Sequence, residues 1–105
     1  GMLDSTLVVV ATEFGRKPDF SGDGRSHHPV CFSTVLAGGG TKAGFVYGKS
    51  DDAGYYPEDD AVSVGAFHAS IAYAAGMDIE KPATSPSGRP MTVGDEEPPI
   101  LELFT

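Results

Sequence analysis

The sequence predicts a mixed α/β fold with few strands, one main helix in its C-terminal half and long loops. Three observations carry that expectation. Thr6-Leu7-Val8-Val9-Val10-Ala11-Thr12 is an unbroken apolar, largely β-branched run. Val64, Phe67, Ile71, Ala74 and Ala75 recur at helical spacing. The chain holds 14 Gly and 8 Pro in 105 residues, which forecasts many turns and much irregular chain.

The elements follow in order. Gly1 stands before Met2 and reads as the remnant of an expression tag. Residues 6–12 do not alternate in polarity. A strand of that kind is expected to be buried on both faces, as in a parallel sheet. Residues 13–29 are polar and Gly-rich and read as one long loop, a length usually reserved for function or disorder. A second strand is expected from Val30 to Leu36, broken by Gly38-Gly39-Gly40. Phe45-Val46-Tyr47 reads as a short third strand, followed by an acidic loop to Asp60.

Ser63 is placed to cap a helix running from about Val64 to Ala75. Gly76 fits the position just past its end. The Pro- and Gly-rich tail after Lys81 carries two short apolar pieces, Met91-Thr92-Val93 and residues 100–104. These elements are expected to form a single domain over residues 1–105. They are too few to close a sheet, so a bare sheet face is expected to drive association or to belong to something larger.

Composition excludes several classes of function. The net charge of −8 opposes binding to nucleic acid phosphates, which runs on Lys and Arg. The acidic clusters at residues 51–60 and 95–97 read as solvated loops and lack EF-hand spacing. Cys31 is the one cysteine, so no internal disulfide forms. Its place between Val30 and Phe32 suggests a buried, inert thiol. No apolar stretch is long enough to cross a membrane, and no signal peptide is visible. Gly38-Gly39-Gly40-Thr41-Lys42 lacks phosphate-loop spacing and reads as a turn, as does Gly88-Arg89-Pro90. There is no Gly-x-Ser-x-Gly elbow.

The candidate chemistry gathers beyond the first strand, where open parallel sheets place their ligands. Glu13, His27 and His28 are candidate metal ligands, for zinc, calcium or manganese. Arg16 and Arg25 are candidate anion binders, since a guanidinium fork matches phosphate or sulfate. His27 and His28 are neighbours, so in extended chain they face opposite ways and at most one meets a given metal. A polar loop also holds histidines with no ligand role, and that reading stays open. His68 reads as a packing or surface residue.

The ordered motifs resemble an uncharacterised family of bacterial sulfatase-like proteins. Residues 6–16, ending Glu13-Phe14-Gly15-Arg16, resemble its strand and signature. Gly24-Arg25-Ser26-His27-His28-Pro29 resembles its Gly-Arg-Asp-His-Trp segment. Val35 through Gly40, residues 67–76, Gly88-Arg89-Pro90 and Leu101-Glu102-Leu103-Phe104 resemble its later segments. The resemblance implies the C-terminal part of an alkaline phosphatase-like fold, whose members hydrolyse or transfer phosphate or sulfate esters at a metal site. Two departures stand out: Phe14 replaces the imidazole of the superfamily's Asp-His-Gly step, and Ser26 stands where Asp is usual. His27 would match a later metal-binding histidine. The nucleophile and first metal carboxylates would lie in a missing N-terminal half. Full-length relatives are often exported, frequently by a twin-arginine signal. Two readings follow: a catalytically incomplete piece of a metal-dependent ester hydrolase, or a non-enzymatic scaffold that self-associates as a homo-oligomer. A small unrelated binding domain would require a closed antiparallel barrel.

Overall fold

In a computed structural model covering residues 1–105, every strand pairs with one neighbour only. Strand β1 (Leu7–Val10) pairs with β4 (Val35–Gly38). Nested between them in sequence, β2 (Gly15–Arg16) pairs with β3 (His27–His28). Then β5 (Lys49–Ser50) pairs with β6 (Pro57–Asp59), and β7 (Ala83–Thr84) with β8 (Pro90–Met91). All four ladders are antiparallel. One helix, α1 (Val64–Ala74), lies between the third and fourth pairs. The chain is therefore mixed α/β, with one helix and short antiparallel pairs.

Several expectations are corrected. The run at residues 6–12 is not an interior parallel strand. Only four of its residues are strand, their partner is antiparallel, and Val8, Val9 and Val10 are exposed. An apolar run records that a segment can be buried on both faces; burial needs covering layers, and a two-stranded sheet supplies none. The second strand starts at Val35 rather than Val30, because the ladder exists only where β1 lies opposite. Residues 45–47 are irregular, and the acidic segment beyond them folds back as the β5–β6 hairpin. Residues 13–29 are likewise not one structureless loop, since β2 and β3 form inside them.

Helix α1 follows its local signals. The Ser63 side chain accepts a hydrogen bond from the Ala66 amide at 3.0 Å, capping the N-terminus. At the other end the Gly76 amide donates to Tyr73 O and the Met77 amide to Ala72 O, both at 3.0 Å, the Schellman pattern. The buried face, however, is not the large-residue stripe. Val64 is exposed and Ile71 half-buried, while Ala69, Ser70 and Ala72 are buried.

Small residues sit inside because the tail backbone presses directly on the helix there. A Cβ at Gly65 would collide with the carbonyl oxygen of Gly94. Ser70 is fully buried; it accepts from the Ile100 amide at 2.9 Å and donates to Ala66 O at 2.7 Å. Ile100 completes this core.

Past Ile100 the tail crosses to the end of β4. Phe104 pairs with Thr41, the Lys42 amide donates to Leu103 O at 2.8 Å, and the Thr105 amide donates to Gly40 O at 2.9 Å. The Phe104 ring meets Tyr73 with centroids 5.3 Å apart. The glycines at 38, 39 and 40 all have positive φ (75°, 55° and 83°), and the chain turns there.

Little of the chain is shielded from water. Five residues are buried, and the accessible surface is 7590 Å². A folded monomer of 10.9 kDa is expected to expose about 5,600 Å². The radius of gyration, 16.0 Å, likewise exceeds the roughly 13 Å of a compact domain of this length.

Candidate functional site

The β2–β3 hairpin gathers most of the predicted site residues, and strand alternation sorts them by face. Arg16 stands directly across from His27, and Gly15 across from His28. The Phe14 ring stacks on His27 with centroids 3.8 Å apart and planes 24° apart. The Arg16 guanidinium carbon lies 5.5 Å from the Phe14 ring centroid, within cation–π range. Phe14 thus takes no ligand role. It holds the His27 ring and the Arg16 fork on one exposed face.

Arg16 also donates from Nη1 to the carbonyl oxygen of Arg25 at 3.2 Å, which ties the two arginine positions together. One donor of a five-donor guanidinium is used in this bond. Arg25 is exposed and has no ion-pair partner.

The opposite face of the hairpin is closed. His28 is buried, and its Nε2 lies 2.8 Å from the carbonyl oxygen of Tyr55. A carbonyl only accepts, so Nε2 carries the proton and donates. His28 therefore anchors the hairpin to residues 51–56, and its Nε2 is not free for a metal. The two adjacent histidines face opposite ways, as strand alternation requires: His27 is exposed and His28 is not.

Tyr55 is the hub of this anchor. Its amide donates to Asp51 Oδ1 at 2.8 Å, and its hydroxyl donates a hydrogen bond to Asp19 Oδ1. That hydroxyl bond holds the Asp19 carboxyl below its usual range, helped by Asp19's own backbone and by Lys17 and His28. The same bond, with desolvation added, raises the Tyr55 phenol. Sequence reasoning missed Tyr55 and Asp51, having read residues 51–60 as solvated. A signal was present, since Asp51 and Gly54 stand at the first and last positions of a turn closed by Gly54 N–H to Asp51 O at 3.1 Å.

Glu13 is exposed and makes no side-chain hydrogen bond or salt bridge. No three His, Cys, Asp or Glu side chains gather closely enough to hold a metal ion. With His28 turned away, Glu13 and His27 offer two ligands at most, short of the three protein ligands of a catalytic zinc site. The residues of this chain do not by themselves fit a zinc, calcium or manganese ion. Cys31 is half-buried rather than sealed, and His68 is exposed.

The chain matches the model of the family described as "Protein of unknown function (DUF1501)" over residues 1–104. The chain belongs to the DUF1501 family. The match takes in β1, the hairpin, α1 and nearly all of the tail, so every residue of the candidate site lies within the DUF1501 region. No curated protein and no solved structure matches the chain. No helix is long and apolar enough to cross a membrane.

Proposed function

We propose that this DUF1501 chain is the C-terminal part of an alkaline phosphatase- or sulfatase-like domain, with phosphate or sulfate ester hydrolysis as its ancestral chemistry. In this reading it is inactive alone. The β2–β3 hairpin forms one wall of the site, where Arg16 and Arg25 bind the ester anion and His27 and Glu13 contribute part of a metal set. The other ligands and the nucleophile come from outside residues 1–105. In this reading full-length relatives are often exported.

The observation that carries the reading is the shared face of Arg16 and His27, braced by Phe14 and joined to Arg25 through its carbonyl. The chain's own residues orient the anion: two guanidinium groups offer charge-assisted donors, and the stacked imidazole presents an exposed edge.

Sulfate and inorganic phosphate titrations of the purified chain test the reading. Weak binding is expected, reduced about tenfold by Arg16→Ala, as for loss of a hydrogen bond to a charged group. Equal binding by both proteins would remove Arg16 from the site. Turnover of an aryl phosphate or aryl sulfate by residues 1–105 alone would remove the claim of incompleteness.

A second reading, a self-associating scaffold, draws on the bare valines of β1. It requires a stable homo-oligomer by sedimentation and no anion preference at Arg16.

A further inference from the structure

We propose that Tyr55 is a positioning residue for the anion-binding face of the β2–β3 hairpin, gripping one arm of the hairpin with its hydroxyl and the other with its carbonyl oxygen. The proposal rests on the reading of Arg16 as an anion binder and adds what holds that guanidinium in place.

The hairpin is too small to hold its own shape. Its strands are two residues each, and a lone two-stranded hairpin is at best marginally stable in water. The contacts that shape the Arg16 face all lie within this same stretch of chain. Arg16 donates to the Arg25 carbonyl, stands across from His27 and lies over Phe14, whose ring stacks on His27. None of these contacts reaches the rest of the molecule. The face is therefore only as rigid as the attachment of the hairpin.

Both hydrogen bonds that tie residues 15–28 to the rest of the chain end on Tyr55. On one arm, in the loop beyond Arg16, the Asp19 carboxylate accepts from the Tyr55 hydroxyl. On the other, directly after His27, the His28 ring donates from Nε2 to the Tyr55 carbonyl oxygen at 2.8 Å. The remaining bonds stay inside the hairpin: the Lys17 amide to Ser26 O at 2.9 Å, the Ser21 amide to Gly24 O at 2.7 Å, and the Ser21 and Ser26 hydroxyls at 3.3 Å.

Tyr55 is itself fixed. Its amide donates to Asp51 Oδ1, and the Asp51 amide donates to Tyr56 O, both at 2.8 Å. Packing follows the same line, since a Cβ on Gly54 would sit 3.3 Å from Pro18 Cγ. A second support lies at Gly15, where an added Cβ would overlap Phe32 Cβ. That contact seats one end of β2 but supplies no hydrogen bond to direct the arms. A guanidinium binds an oxyanion best through two parallel N–H bonds, which a wandering hairpin cannot keep aligned. Fastening both arms leaves less to order when the anion arrives.

Tyr55→Phe removes one oxygen and keeps the ring, the amide and the carbonyl, so the His28 bond survives and the variant is expected to fold. Sulfate affinity is read by titration at constant ionic strength. Binding is expected to weaken about fivefold, the worth of one net hydrogen bond. No further loss is expected when Tyr55→Phe is added to Arg16→Ala, because the two act through one group. A second readout needs no ligand. The Phe14 ring should shift the NMR signals of the stacked His27 ring, and that shift should shrink in Tyr55→Phe. Asp19→Asn keeps an acceptor for the phenol and should keep the shift, whereas Asp19→Ala should reduce it. Parental sulfate affinity in Tyr55→Phe, an equal loss in the Arg16→Ala background, or Asp19→Asn behaving like Asp19→Ala would each overturn the proposal. An unmoved His27 shift in Tyr55→Phe would overturn it too, even if Arg16→Ala binds sulfate as the parent does, a result that by itself defeats only the anion-site reading.

Discussion

Two apolar regions of this chain meet opposite fates. Helix α1 buries Ala69, Ser70 and Ala72; Gly94 of the tail approaches the helix backbone at Gly65, and the Ile100 amide reaches the Ser70 hydroxyl. The β1–β4 pair is the more hydrophobic sequence, yet three of the four residues of β1 lie in water. The helix has its cover about 30 residues downstream in the same chain, while the strand pair has no third strand beside it within residues 1–105. Hydrophobicity thus reports a demand for burial, while the supply depends on what else the chain brings near. A small core built on alanine and serine can be real where a large valine surface is not a core at all.

The sharpest way to break this contrast is Ile100→Ala. Ile100 is 9% exposed, and its truncation is expected to cost about 2–4 kcal/mol in urea unfolding. An unchanged midpoint would mean that the helix and tail are not the stable part. Ser70→Ala comes next, at about 1–3 kcal/mol, because the Ile100 amide would lose its buried acceptor. A smaller, pH-dependent effect is expected at the hairpin anchor. Asp19 is depressed by its bond from Tyr55, so its contribution is full above the ordinary carboxylate range near pH 4 and is lost as pH falls through its lowered folded-state value. The raised Tyr55 phenol contributes below about pH 10, and this is lost as pH rises through its folded-state value. Tyr55→Phe should therefore unfold more readily than the parent at neutral pH, with the two midpoints converging in acid; parallel curves would dismiss the bond. The smallest effect is expected from Val10→Thr, which at 61% exposure should fall within about 0.5 kcal/mol. A cost like that of Ile100→Ala would show that β1 is covered in solution after all.

What could be read from the sequence was local. Ser63 and Gly76 bound the helix because capping is decided within one turn of chain. The opposed faces of His27 and His28 followed from strand alternation alone. Partners were not legible. Nothing in the Leu7–Val10 run says that its neighbour is antiparallel or that its faces stay bare, because both depend on residues far along the chain. β6 was hidden for a different reason: Pro57, Glu58 and Asp59 are poor strand formers, and the strand exists because β5 lies beside it. The hub at Tyr55 was hidden because its ties run to Asp19 and His28, 36 and 27 residues away. Phe14 looked like a lost ligand and proves to be the plate on which His27 rests.

The stitching of residues 103–105 onto residues 40–42 has a practical consequence. The C-terminal end runs from the helix across to the glycine turn and fastens the two together like a buckle. Breaking those contacts, for example by Phe104→Ala, should free the turn while leaving the α-helix spectrum largely intact.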